Sequence, residues 1–250
     1  MLAAALLLPA LATSCSSGAE AGGDRPETLT VLAASSLTDA FSELEQTFES
    51  QRPEVQVRLI FDSSSTLAEQ VLAGAPADVL ATADEATMRR VVDARLTAAE
   101  PATFARNQLT MVTPAGNPAD VRSVADIDRA AVTYAVCVPD APCGAASAAL
   151  LDRVGVRAQP VTEEDNVRAV LTKVAAGEVD AGLVYVSDAE AAGSHVVVVD
   201  VPQADQVLNA DRIAALSDAD DPALAAAWVD LVTSAEGQRV LESHGFLPGP

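Results

Sequence analysis

The sequence predicts an α/β protein built as two lobes, each a parallel sheet flanked by helices, and three observations carry that prediction. Short β-prone runs alternate with stretches of helical periodicity from residue 29 almost to the C-terminal end. At 250 residues the chain exceeds what a single sheet comfortably uses. Half of it is hydrophobic and 20% is charged, enough apolar side chain for a packed core without the long apolar spans of a polytopic membrane protein. With two lobes, the ligand site is expected between them.

The elements follow in order. Leu29–Ala33 (LTVLA) reads as a buried strand. From Leu37 the period becomes 3.6, with Leu37, Phe41, Leu44 and Phe48 on one face. Ser36 stands at the expected N-cap of that helix, with Asp39 three residues on. Val55–Phe61 alternates as a second strand. A helix from about Thr66 to Ala73 follows, with Thr66 and Glu69 at capping-box spacing and Gly74 as its stop. Val79–Ala83 is a strand and Glu85–Asp93 a helix. Gln108–Thr113 is strand-like up to the turn at Pro114–Gly116, and Val132–Val138 is another strand. A helix is expected over Ala145–Val154, directly after Pro142-Cys143-Gly144. Val167, Val170, Leu171 and Val174 mark the next helix, ending near Gly177, with Glu163, Glu164 and Asp165 placed in its first turn. Gly182–Val186, Val196–Val199 and Val207–Leu216 are strands. Asp221-Pro222 opens a helix containing Trp228 and Leu231, and Ser234–His244 is the last helix, stopped by Gly245.

The N-terminal segment is of another kind. Residues 1–14 (MLAAALLLPALATS) form an apolar run too short to span a bilayer. The run lacks the basic n-region of a secretory signal, which predicts a translation start further upstream. It ends in Ala12-Thr13-Ser14-Cys15, which resembles a bacterial lipobox with Ala12 in the usual leucine position; Cys15 would then carry the lipid. Residues 16–26 (SSGAEAGGDRP) suit a flexible tether. A lipoprotein on the outer face of the cell membrane is the expectation, and a soluble secreted protein the alternative. In that compartment Cys137 and Cys143, in CVPDAPCG, read as a disulfide closing a tight loop, with two free buried thiols as the alternative. Five intervening residues do not suit zinc, and no Cys or His pair stands nearby to complete a site.

Composition excludes several functions. With 15 basic against 36 acidic residues the formal net charge is −21, which argues against nucleic acid. Lys173 is the sole lysine. Neither a GxGxxG nor a P-loop motif is present. A serine hydrolase would need a histidine base, yet His195 and His244 lack motif context and no GxSxG occurs. What stands out instead is three hydroxyl- or glycine-bearing turns directly before helices: Ser35-Ser36, Ser63-Ser64-Ser65 and Cys143-Gly144. Helix N-termini present unpaired N–H donors and partial positive charge, and serine hydroxyls add donors of the same sign. Each alone is an ordinary cap; three at strand-to-helix turns of one α/β chain point to a shared anion site.

The segments LTVLAASSLTDAFSEL, FDSSSTLAEQVLAGAPADVLATAD, NQLTMVTPAGNP, DNVRAVLTKVAAGEVDAGLVYVSDA and GQRVLESHGF, in that order, resemble the molybdate-binding proteins of bacterial ABC transporters. The resemblance runs from about Leu29 to Phe246. It implies a periplasmic-binding-protein fold of two lobes, each a mainly parallel sheet flanked by helices, with the ligand in the cleft. The implied division is residues 27–107 with 208–250 as one lobe and 108–207 as the other. The implied ligand is molybdate or tungstate, held without cofactor or direct metal ligation, and handed to an ABC permease and its ATPase by a monomeric, non-enzymatic receptor. The family's ligand positions fall on Ser36, Ser64, the backbone N–H groups of Cys143 and Val167, and the Tyr185 hydroxyl. Two places depart from the family pattern: Cys143 stands for its alanine, and Asn166 for the acid before the valine. A receptor for another oxyanion such as sulfate, an exported serine hydrolase and a tethered sensor are the competing readings.

Overall fold

The computed structural model describes residues 27–249. The leader, Cys15 and the whole tether lie outside the described residues. The elements are β1 (Glu27–Ala34), α1 (Thr38–Gln51), β2 (Val55–Asp62), α2 (Ser64–Leu72), β3 (Val79–Thr82), α3 (Glu85–Asp93) and β4 (Ala102–Pro114). Then come β5 (Tyr134–Cys137), α4 (Pro142–Val154), β6 (Thr162–Glu164), α5 (Val167–Ala175), β7 (Ala181–Tyr185), α6 (Val186–Ala192) and β8 (Val196–Val199). The chain closes with β9 (Leu208–Ala215), α7 (Pro222–Thr233), α8 (Ala235–Ser243) and β10 (Leu247–Pro248).

Two sheets share one strand. The first has the order β2-β1-β3-β9-β4 and the second β4-β7-β5-β6, with β10 and β8 also pairing on β4. The Ala102–Gln108 half of β4 pairs with β9, whereas Leu109–Val112 pairs with β7 and Met111–Pro114 with β8. The neighbours β1–β2, β1–β3, β5–β6 and β5–β7 are parallel as expected. The long strands β4 and β9 run antiparallel to their partners, so each sheet is mixed. The physical reason is that the chain crosses between lobes along β4 and returns along β9, side by side in opposite directions.

Each lobe buries its own core. Around the first sheet, Phe41 and Phe48 of α1 close on Trp228 of α7, with ring centroids 5.7 and 5.3 Å apart in edge-on geometry. Leu67, Val71, Met88 and Val91 cover its opposite face. Around the second sheet, Leu150 of α4, Val170 and Val174 of α5 and Leu183 of β7 are all buried. The 3.6 period read in α1 thus marks its core face. The Asp221 N-cap forms as the sequence suggests, its carboxylate accepting from Ala223 and Leu224 N–H, and Ser234, expected inside the last helix, instead caps it, its Oγ accepting from Gly237 N–H.

Four local expectations need correction. Ser36 caps nothing: Ser35–Leu37 form a single 3₁₀ turn between β1 and α1, and it is Thr38 Oγ1 that bonds back to Ser35 C=O. Thr66 opens no capping box, because α2 starts at Ser64 and Thr66 is inside it. Helix α4 starts at Pro142, since proline at the first position needs no N–H acceptor; Cys143 and Gly144 therefore belong to its first turn. Glu163 and Glu164 lie in β6, paired with β5, and Asn166 rather than an acid caps α5, accepting from Ala169 N–H at 3.1 Å. The pull of β5 outweighs the helix-dipole preference of those acids.

Candidate functional site

The turns after β1, β2, β5, β6 and β7 all open at the carboxyl ends of parallel strands, and a cavity lies where the two lobes meet there. Ser36, Ser64, Cys143, Val167 and Tyr185 line it together, although 149 positions separate the first from the last. Its interior is small, with about 10 Å³ of room for the centre of a water-sized sphere. It suits one small ion.

Each of the five positions presents a donor. Ser36 is buried and its Oγ has no hydrogen-bond partner among the described residues. A buried hydroxyl without a partner costs about 1–3 kcal/mol, so its geometry favours a ligand acceptor. Ser64 Oγ accepts from Ala83 N–H at 2.9 Å, which occupies a lone pair and leaves the hydroxyl proton to point elsewhere. Tyr185 is arranged likewise: Asn209 Nδ2 donates to its oxygen at 2.8 Å. Burial, with Asp211, Asp84 and Asp188 nearby, holds the phenol well above its ordinary pKa, so it stays protonated and able to donate. Cys143 and Val167 occupy the second and first positions of α4 and α5, where N–H groups have no acceptor within the helix.

Two neighbours, Asn209 and Asp211, were not read from the sequence. Asn209, from the strand that returns between lobes, bonds both Tyr185 Oη and Ala83 C=O and so fixes the phenol against the first lobe. Asn209 and Asp211 are two buried polar residues on the face of β9 that continues with buried Ile213. Asp211 lies beneath the site, fully buried with both carboxylate oxygens unpartnered, and desolvation pushes its pKa well up. Asp62 lines the cavity, so the wall is not made of donors alone. Its Oδ1 accepts from Ser63 N–H at 2.7 Å and from Asn166 Nδ2 at 3.4 Å. An acid at position 166 would set two carboxylates face to face beside the cavity; asparagine removes that repulsion and still caps α5.

Cys137 and Cys143 are joined, with Cα atoms 5.7 Å apart, which ties the first turn of α4 to the end of β5. Neither histidine lines the cavity, and His244 instead meets Glu43 at 2.9 Å on the surface. The cavity serines have no imidazole base beside them.

Residues 29–247 match the family of bacterial extracellular solute-binding proteins. The chain belongs to that family. Its members bind solutes rather than catalyse reactions. This solute-binding protein is 44% identical over 218 residues to the molybdate-binding protein ModA of Mycobacterium tuberculosis, covering 87% of this chain and 84% of that one. It is 30% identical over 231 residues to ModA of Escherichia coli, covering 87% and 88% of the two chains. In fold it resembles the periplasmic molybdate-binding protein of Azotobacter vinelandii, with a TM-score of 0.80 at 18% identity over 89% of this chain and all of the other.

Proposed function

We propose that this protein captures molybdate or tungstate outside the cytoplasm and delivers it to an ABC permease with its ATPase. The observation that carries the reading is Ser36 Oγ, buried and unpartnered at a small cavity where four further donors converge from both lobes. Ser36 and Ser64 come from one lobe, and Cys143, Val167 and Tyr185 from the other, taking residues 27–107 with 208–250 and residues 108–207 as the lobes. A tetrahedral dianion satisfies such a set, and only when the lobes close do all five donors reach it. The likeness to the mycobacterial and enterobacterial molybdate-binding proteins supports the choice of anion.

Asp62 changes the selectivity argument. A wall made only of donors would reject hydrogen phosphate for want of a proton acceptor, but a cavity-lining carboxylate is an acceptor. Selection against phosphate then depends on Asp62 remaining engaged by Ser63 and Asn166, and selection against sulfate on cavity size. Export as a lipoprotein through Cys15, and action as a monomer, complete the proposal. Cys15→Ser is expected to move the protein from the membrane fraction to the medium or periplasm.

Calorimetric titration of residues 16–250 with molybdate, tungstate, sulfate and phosphate tests the function. One-to-one binding of the first two alone is expected. Equal binding of sulfate would replace the assigned anion, and no binding by folded protein would overturn the proposal.

A further inference from the structure

Three consecutive residues at the start of α5 have three different attachments. Val167 lines the cavity; Asn166 and Arg168, on either side, reach across to the other lobe. Arg168 Nη2 donates to Asp39 Oδ2 in the first turn of α1. Among the described residues this is the one salt bridge that joins the two lobes, since the other pairs each lie within a lobe or beside the connecting strands. Arg168 does not line the cavity.

An exposed ion pair is ordinarily weak because two long side chains must be ordered to make it. Here the ordering is already done. Arg168 Nε lies 2.9 Å from Oδ1 of Asp188, which is fully buried in α6 and anchored by Tyr185 N–H on its other oxygen. The guanidinium side chain is 26% exposed, and it is held from behind within its own lobe before it meets Asp39. Asp39 is half-exposed and sits at the positive end of α1, where it is stable with or without a partner. The pair can therefore break and re-form at little cost to either lobe, and its two states correspond to an open and a closed cleft.

We propose that Arg168 is a latch: its cross-cleft pair with Asp39 sets the closed fraction of the ligand-free protein and slows the escape of a bound oxyanion. Arg168 is a positioning residue, acting on the anion only through closure. The second half of the proposal rests on the molybdate reading; the first half does not.

The variant of choice is Asp39→Asn, because it leaves the Arg168–Asp188 pair intact. Small-angle scattering of the ligand-free protein reads closure directly, and stopped-flow release of molybdate reads retention. Asp39→Asn is expected to enlarge the radius of gyration and speed release about twofold to fivefold, with Asp39→Glu restoring both. Raising salt from 0.05 to about 0.5 M is expected to open the wild type towards the variant and leave the variant unchanged. An Asp39→Asn protein as compact as wild type, whatever its melting temperature, would overturn the latch. Expansion of that variant in a protein that takes up no molybdate would uphold the latch and overturn the assigned ligand.

Discussion

Ser36, Tyr185 and Asn166 each join one local choice to the site. Ser36→Ala removes a hydroxyl that has no partner among the described residues, so stability should hold while molybdate affinity falls about 10- to 100-fold, the worth of a hydrogen bond to a charged group. Unchanged affinity by calorimetry would remove Ser36 from the site. Asn166→Asp keeps a cap for α5 but faces Asp62 and the anion with new charge, so affinity above pH 6 should drop while the melting temperature changes little. Asp188 introduces a pH dependence. Burial, opposed by Arg168, raises its carboxyl to about 6. The folded state therefore keeps a proton that the unfolded chain releases near pH 4, and stability falls as pH rises from about 4 to 6. The effect is on the order of 3 kcal/mol at most, and Asp211, raised by its own burial, acts in the same direction. Melting temperatures at pH 5 and 7.5 should differ less in Asp188→Asn than in wild type. At this scale the five residues that line the cavity together were legible because the sequence motifs mark them. Asn209 was not, because a polar residue in a strand shows its partner only after pairing.

Helix α4 shows how an element is placed as well as formed. Gly144 packs so closely on the end of β5 that an added Cβ would stand 1.9 Å from Val138 C=O. Gly144→Ala must push the first turn of α4 away, taking Cys143 N–H with it. Loss of both several degrees of melting temperature and most of the anion affinity is expected, and retention of both would show that the turn is mobile. The disulfide ties the same turn from the other side. Reduction in a protein that stays folded should weaken binding by freeing the Cys143 N–H to wander; equal affinity before and after reduction would assign the bridge to stability alone. The elements themselves were largely legible from period and caps. Their starts were misjudged where tertiary pairing decided the matter, as in β6, which exists because β5 offers it an edge.

The whole molecule carries a net charge of −21 and is asked to bind an anion. The dipoles and hydroxyls at the cavity act within a few ångströms, whereas the repulsion of the surface acts over roughly a Debye length, about 30 Å at 0.01 M salt and 8 Å at 0.15 M. Association of molybdate should therefore quicken as salt rises from 0.01 to 0.15 M, the reverse of electrostatic steering. A rate that falls with salt in stopped-flow would show that local positive potential dominates the approach. Bound ligand at 100 times its dissociation constant should add about 2.7 kcal/mol of stability, seen as a higher melting temperature.

Alternating strands and helices, the core faces of α1 and α5, the cap at Asp221, and the residues that meet at the cavity were determined by the sequence, because each depends on neighbours a few positions away or on a recognisable motif. The antiparallel passage of β4 and β9, the Ser36 hydroxyl left without a partner among the described residues, the carboxylate of Asp62 at the wall and the Arg168–Asp39 bridge were decided only by the tertiary structure. The pairings among them join groups about 100 to 130 positions apart in the chain, and no local preference of a residue says which distant group will meet it when two lobes close.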